Sequence, residues 1–335
     1  MSLKKIKWGH YANYMVIGAI TLALGTVSLT GGRFDNSLLF LLEKMAISII
    51  LAVSLSLVVG FLGELSLGHA GFMCVGAYIG GKAAALLVPA LGNTIPTFLI
   101  ALVIGAAAAA VCGVIIGIPA LRLRGDYLAI ITLGFGEIIR VVLTNIDSVL
   151  GFKLTYGASG LKWIPKISTF TLVLLCVILT CTVIHMIMKS RHGRAILAIR
   201  DNEIAAESCG VPVTYYKVFA FSLSAFFAGL AGCLYAGYIG SLQPGSFGFM
   251  KSIEILVMVV LGGRGSMLGS VLAACVLTVL PELMRGFDDL RMVMYSLVLI
   301  VMMLFRPEGL LGSYDFSLSR LIEKAVTKLK GGRKA

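Results

Sequence analysis

Charged residues are scarce in this chain, and their scarcity excludes an ordinary soluble protein. Only 13% of the 335 residues are Asp, Glu, Lys or Arg, whereas soluble globular domains carry about 25%. The hydrophobic fraction is 59% and the mean hydropathy is +0.98. The few charges are collected between apolar runs of membrane-spanning length, so the composition predicts an all-α polytopic membrane protein. The net charge of +12 does not indicate nucleic-acid binding, because the basic residues lie at the ends of these runs and in the tails.

The residue patterns of common active sites are also missing from the sequence. The four histidines are scattered, without an HExxH motif for zinc, and no GxSxG nucleophile elbow is present. The seven cysteines form no CxxC pair and mostly lie in apolar runs, which favours buried thiols over a disulfide framework or a metal site. We therefore expect a protein that is not an enzyme and that holds no metal.

One segment approaches a nucleotide-binding motif but lacks an essential group. Residues 76–83 read GAYIGGKA, which nearly fits the phosphate loop GxxxxGK[ST]. Ala83 stands where a hydroxyl would hold magnesium, and the segment lies in an apolar run with no soluble strand before it. The sequence thus predicts no ATP binding and no cofactor in this chain.

Ten apolar runs predict about ten transmembrane helices in a domain that covers residues 12–305. Lysines in segment 1–11 precede the first run, which has no small-x-small cleavage site and is interpreted as an uncleaved span. Lysine and arginine are more numerous in the alternate segments that include 1–11 and the basic tail 306–335, so we expect both termini in the cytoplasm. The predicted spans are residues 12–29, 45–62, 72–88, 96–118, 127–145, 170–188, 218–239, 252–262, 267–284 and 291–305.

A polar island, residues 191–212, interrupts this apolar sequence between the sixth and seventh predicted spans. It reads RHGRAILAIRDNEIAAESCGVP. Asp201 is the predicted N-cap of a short helix, with Asn202 and Glu203 in its first turn, and Gly210 is a good C-terminal stop. The predicted topology places the island in the cytoplasm. Two interpretations stay open at this point: an ordinary solvated loop, or a docking helix that a soluble partner moves.

Two glycine-rich segments resemble each other at equal spacing. Residues 65–73 read LSLGHAGFM and residues 242–250 read LQPGSFGFM. They precede predicted spans of opposite direction, which indicates a possible inverted repeat. Non-helical backbone at membrane depth is tolerated only where it is buried in protein or lines a wet cavity, so both segments are pathway candidates, with chance similarity and plain loops as the alternatives. The candidate residues are Ser66, Gly68, His69, Gly71, Pro244 and Gly245.

Charge within a predicted span marks one further pathway candidate. Glu137 and Arg140 are three residues apart, which places them on one face of a helix where they can pair. An isolated charge in the membrane costs about 3 kcal/mol or more, so such residues usually face protein or water. The pair is either part of a pathway or gate, or a structural ion pair that holds helices together.

Five segments follow one another in a recognisable order. They are GELSLGHAGFMCVGAYIGG, LRLRGDYLAIITLGFGEIIR, SRHGRAILAIRDNEIAAESCGVPVTYYKVFAF, VVLGGRGSMLGSVLAA and FRPEGLLG. Together they resemble the LivM-type permease subunit of branched-chain amino acid ABC importers, over about residues 38–312. The second segment is similar to the LivM type rather than to its sister, the LivH type.

The resemblance implies an importer of several subunits in the bacterial inner membrane. It implies a LivH-like permease partner in the lipid bilayer, two cytoplasmic ATPase subunits that hold ATP and magnesium, and a periplasmic or lipid-anchored substrate-binding protein. In such permeases a cytoplasmic loop docks in a cleft of the ATPase, which carries over to residues 189–217 with residues 201–209 as the coupling helix. The coupling residues so implied are Arg194, Arg200, Asp201, Asn202, Glu203, Ala205, Ala206, Glu207 and Gly210.

Three alternatives stay open beside an importer of Leu, Ile and Val. Importers of urea and short-chain amides use similar subunits, so the substrate is less well specified than the family. A stand-alone ion- or proton-coupled carrier would need no ATPase, although the few intramembrane carboxylates argue against a proton relay. A membrane enzyme or scaffold would need a reactive polar cluster, which the sequence does not contain.

Overall fold

The computed structural model describes residues 36–92, 94–123, 125–150, 155–162, 164, 165, 168–263, 265–284, 291–305 and 309. Within these residues the backbone is helical, apart from connecting segments and one isolated antiparallel bridge between Leu161 and Leu242. The predicted first span, residues 12–29, and almost all of the tail, residues 306–335, lie outside the described residues.

Helices in the described part of the chain follow the apolar runs, because a helix satisfies all of its backbone hydrogen bonds within one segment. The α-helices are α1 Asn36–Ser56, α2 His69–Leu91, α3 Ile95–Ala120, α4 Asp126–Leu150, α5 Phe170–Lys189, α6 Arg191–Asp201, α7 Glu203–Ser208, α8 Val213–Ile239, α9 Phe249–Gly262, α10 Met267–Leu283 and α11 Arg291–Phe305. A π-helical turn, Leu57–Leu62, continues α1, and 3₁₀ turns occupy Gly157–Ser159 and Pro244–Phe247.

Seven helical stretches among the described residues are long and apolar enough to cross a membrane. They are Ser37–Leu62, His69–Pro89, Ile95–Ala120, Asp126–Asp147, Phe170–Lys189, Val213–Ile239 and Pro244–Gly262. These correspond to the second to eighth predicted spans, and the 3₁₀ turn before α9 makes the eighth longer than its predicted bounds of 252–262. Helix α10 is apolar but shorter. The polytopic all-α architecture is confirmed, while the count of ten and the side of each terminus stay predictions.

The centre of the bundle is formed by α2, α3 and α8, which pack closely through small residues. A Cβ atom on Gly76 of α2 would lie 2.2 Å from the Cα atom of Gly229 on α8, so only glycine allows these two backbones to approach. Residues 76–83, the segment that approached a phosphate loop, therefore lie inside a packed helix rather than in a loop.

Two further helices position the candidate sites. Helix α1 is buried from residue 46 onward and packs against α5, α8 and α10. Its π-turn ends at Gly63, in the left-handed region with φ +82°, and a non-helical segment, residues 63–68, leads into α2. Helix α4 is largely exposed and contacts α2 and the 3₁₀ turn Pro244–Phe247. The two glycine-rich segments therefore both lie beside α4.

Candidate coupling and pathway sites

The polar island folds into two short helices, α6 and α7, rather than one. Asp201 is the last residue of α6, and Asn202 takes an extended conformation with φ −159° and ψ 109°. The Asn202 Oδ1 atom accepts a hydrogen bond of 3.0 Å from the backbone N–H of Ala205, so Asn202 is the N-cap of α7. The prediction that Asp201 caps this helix was wrong, because the Asp201 carboxylate binds the Arg200 side chain instead. Gly210 follows α7 at φ +81°, as its predicted role as a stop requires.

The two faces of α7 differ in exposure. Ala206 is buried against the bundle, whereas Ala205 and Glu207 are exposed and the Ile204 side chain is 68% exposed. Ala206 therefore lies on the inner face of α7, away from Ala205 and Glu207, and Ile204, an apolar residue that the prediction omitted, lies on the accessible face. The exposed surface of α7 combines apolar and acidic side chains.

Lys217, near the start of α8, holds α7 to the bundle. Its Nζ atom lies 2.6 Å from Glu64 Oε1 and 3.1 Å from Glu203 Oε1, and the residue is only 2% exposed. Glu64 belongs to the segment between α1 and α2, and Glu203 is the first residue of α7. One buried cation thus joins three elements, where an unpaired charge would be costly.

Arg200, at the end of α6, contacts the same region of α1. Its Nη1 atom lies 3.5 Å from the carbonyl oxygen of Gly60, at the limit of hydrogen-bonding distance. A Cβ atom on Gly63 would lie 2.8 Å from the Arg200 Cγ atom, so the arginine stem packs tightly on the end of the π-turn. Arg194, like Arg200, is exposed.

The first glycine-rich segment is held between α4 and α9. The backbone N–H of Leu67 donates a hydrogen bond of 3.0 Å to Thr132 Oγ1 on α4. A Cβ atom on Gly68 would lie 2.4 Å from the Thr132 carbonyl oxygen. The backbone N–H of Ala70 donates a 3.2 Å hydrogen bond to Ser252 Oγ on α9. Among the predicted pathway residues here, Gly68 and Gly71 pack on the α4 backbone and Ser66 is buried.

His69 points toward α1 rather than toward α4. Its Nε2 atom lies 2.9 Å from Ser54 Oγ, and the residue is 2% exposed. The His69 side chain is thus a buried packing residue that forms its hydrogen bond with α1.

Glu137 joins α4 to the second glycine-rich segment. Its Oε2 atom lies 2.6 Å from Arg140 Nε, so the predicted ion pair forms. Its Oε1 atom accepts a 3.1 Å hydrogen bond from the backbone N–H of Phe249, the first residue of α9. In the 3₁₀ turn before it, Pro244 is buried and Gly245 is exposed. The two glycine-rich segments therefore meet α4 at Thr132 and Glu137, one turn and a half apart.

A separate apolar groove of about 490 Å³ lies between α3 and α8. None of the predicted pathway residues lines this groove. Its lining residues are Ala110, Val114, Thr214, Tyr215, Val218, Phe219, Ser222, Leu223 and Phe226.

Sequence reasoning missed the partners of the predicted residues. Lys217 was predicted as the last residue of the cytoplasmic coupling loop, residues 189–217, although its side chain is joined to Glu64 in the bundle. The signal available was the position of Lys217 inside the apolar run YYKVFAF, where a charge requires a partner. Thr132 and Ser252 gave no signal, because hydroxyl side chains are common in membrane helices.

Comparisons with known proteins address the family directly. The model of the family described as branched-chain amino acid transport system / permease component matches residues 37–306. The high-affinity branched-chain amino acid transport system permease protein LivM of Salmonella typhimurium is 40% identical over 294 residues, which cover 79% of this chain and 68% of that protein. LivM of Escherichia coli gives the same identity and coverage. The ribose import permease protein RbsC of Escherichia coli is 27% identical over 77% of this chain and 81% of its own length.

The family match spans the described bundle from the start of α1 to the end of α11, and the relatives that are 40% identical over the aligned 294 residues are LivM proteins. The chain therefore belongs to the branched-chain amino acid transport system permease family, as a LivM-type, multi-pass membrane permease.

Proposed function

We propose that this chain is one of two membrane subunits of an ATP-driven importer of leucine, isoleucine and valine. The relatives at 40% identity are named for branched-chain amino acid transport, and this supports the substrate class. The chain would lie in a bacterial inner membrane with both termini in the cytoplasm. Its partners would be a LivH-like permease and a periplasmic or lipid-anchored substrate-binding protein.

Two cytoplasmic ATPase subunits would bind ATP and magnesium and drive the transport cycle. The observation that carries this part of the proposal is the construction of α7: its inner face and first residue are fixed to the bundle through Ala206 and Glu203, while Ile204 and Glu207 face outward. A short helix that is fixed on one side and exposed on the other suits a docking element that moves with its partner. The chain itself would hydrolyse no ATP.

Substrate passage would occur beside α4, where the two glycine-rich segments lie. The pathway would be largely apolar and neutral overall, because a branched-chain amino acid has an aliphatic side chain and charges that cancel. Selectivity would then reside mainly in the substrate-binding protein. Alternating access would follow from movement of the helices attached to α7.

A capture experiment tests the proposed assembly. The tagged native chain, expressed with its partners and solubilised in detergent, should retain the ATPase and the second permease. The variant Ile204→Arg should no longer retain the ATPase but should still retain the second permease, because the substitution changes a side chain that is exposed on α7. Ser241→Arg, at an exposed position outside the island, is the control. A native chain that purifies alone and monodisperse would refute the assembly.

A transport experiment separates the remaining alternatives. Proteoliposomes that contain the whole complex should accumulate labelled leucine when ATP is supplied inside and the binding protein outside. Uptake by this chain alone that an uncoupler abolishes would instead favour an ion-coupled carrier. Competition by urea or acetamide, but not by isoleucine or valine, would move the substrate to the urea and amide class.

A further inference from the structure

We propose that Glu64 and Lys217 are positioning residues that carry a displacement of α7 to the junction between α1 and α2, and from there to α4. The inference rests on the coupling role of α7 proposed above and names the route inside this chain.

The first step of the route is the contact between α7 and α8. Glu203, the first residue of α7, lies 3.1 Å from Lys217 Nζ, and the lysine is almost completely buried. Separating Glu203 from Lys217 would remove one of the two carboxylates that compensate this buried cation, which is unfavourable although Glu64 stays beside it. Displacement of α7 therefore moves Lys217 with it rather than breaking the contact.

The second step passes from Lys217 to the junction. The lysine lies 2.6 Å from Glu64, which lies two residues beyond the π-turn that continues α1. Arg200 contacts the same turn through the Gly60 carbonyl oxygen and the close approach at Gly63. Both helices of the polar island thus contact the end of this helical stretch, α6 through Arg200 at the π-turn and α7 through Glu203 and Lys217 at Glu64.

The third step passes from the junction to the helices that line the candidate pathway. Leu67, three residues beyond Glu64, donates its backbone N–H to Thr132 on α4. Gly68 has no free space against the same threonine carbonyl, and Ala70 is bonded to Ser252 on α9. Because residues 63–68 are not helical, they can shift as a short strap while α1 and α2 keep their hydrogen bonds.

Reversing the charges of the two ion pairs of residue 217, with Glu64 and with Glu203, in turn tests this route. Glu64→Lys with Lys217→Glu keeps the ion pair between the junction and α8 but sets a carboxylate against Glu203. Adding Glu203→Lys restores opposite charges in both ion pairs. The complete complex of each variant is reconstituted in proteoliposomes, and leucine uptake per ATP hydrolysed is measured together with ATPase capture and thermal stability.

The double variant should still capture the ATPase and hydrolyse ATP, while uptake per ATP falls by about tenfold or more, as loss of a charge-assisted contact predicts. The triple variant should recover most of the uptake per ATP. Unchanged uptake per ATP in an assembled double variant, or no recovery in an assembled triple variant, would overturn the proposal.

A conservative substitution keeps the test decisive when a reversed variant does not fold. Glu64→Gln leaves Lys217 paired with Glu203 and should also lower uptake per ATP. Glu254→Gln, which removes the charge from a glutamate paired with Lys251 at the start of α9, is the matched control and should not. Equal uptake per ATP in Glu64→Gln and Glu254→Gln, or loss of folded protein in every Glu64 and Lys217 variant, would overturn the proposal. Glu64, Lys217 and Glu203 would then serve folding alone. A native complex that captures no ATPase would instead refute the proposed function.

Discussion

Glu137 on α4 accepts a hydrogen bond of 3.1 Å from the backbone N–H of Phe249, the first residue of α9. The first N–H groups of a helix have no partner inside the helix, and Gly248 before Phe249 has no side chain that could cap them. Glu137 therefore supplies from another helix the acceptor that a local N-cap residue usually supplies. An intramembrane carboxylate, selected from the sequence as a possible gate element, has an identifiable structural partner.

Replacing Glu137 by alanine should destabilise the protein, because α9 loses its acceptor and Arg140 loses its ion pair. Loss of a helix cap costs about 1 kcal/mol, so the thermal midpoint in detergent should fall measurably. Glu137→Gln keeps a carbonyl oxygen at this position and should retain part of the stability. Asn145→Ala, an exposed change on the same helix, is the control. Equal midpoints for Glu137→Ala and the control would contradict the capping role.

Removing the charge of Lys217 should be far more costly than removing an exposed one. Lys217→Met leaves Glu64 and Glu203 without their shared cation, and breaking a buried ion pair costs about 3–5 kcal/mol. Lys251→Met breaks a more exposed pair with Glu254, for which the expected loss is at most about 1 kcal/mol. Yields of monodisperse protein and thermal midpoints measure the difference, and a smaller loss for Lys217→Met than for Lys251→Met would disprove the bridging role.

Adding one methyl group at Gly68 should disturb the packing on α4. The new Cβ atom would meet the Thr132 carbonyl oxygen at 2.4 Å, and overpacking of this kind typically costs about 1–3 kcal/mol. Gly134→Ala, on α4 itself with nothing within 4 Å of the new atom, is the matched control and should be neutral or stabilising. The thermal midpoints of the Gly68→Ala and Gly134→Ala variants measure this difference, and equal midpoints would contradict the packing role of Gly68. Lower substrate uptake by Gly68 variants would therefore reflect disturbed helix packing as well as any effect on the passage of substrate.

The N-cap of α7 can be assigned by amide hydrogen exchange. Asn202→Ala should accelerate exchange at Ala205, whose N–H is bonded to the Asn202 side chain, with a local loss of about 1 kcal/mol. Asn202→Asp keeps an acceptor oxygen and should preserve the protection. Asp201→Ala should leave exchange at Ala205 unchanged, since its carboxylate binds Arg200. Faster exchange in the Asp201 variant alone would reinstate the original prediction.

The sequence alone was sufficient for features that depend on local composition. Seven of the predicted apolar spans correspond to helical stretches of membrane-spanning length in the described chain, and the ion pair predicted from the spacing of Glu137 and Arg140 is present. Each of these follows from the energetics of one segment in lipid or from neighbours on one helix face. The resemblance to LivM-type permeases was carried by motifs in the chain itself, and the comparisons confirm it.

The tertiary structure decided which distant residues meet. Asp201 and Asn202 are both good N-cap residues. In the folded chain the Asp201 carboxylate binds Arg200, whose side chain also contacts the Gly60 carbonyl oxygen, and Asn202 caps α7. The junction of Glu64, Lys217 and Glu203 spans 153 residues between its first two members, and no local pattern encodes such a contact. Membrane insertion is governed by the free energy of each segment, whereas the pairing of buried charges is governed by which helices pack together.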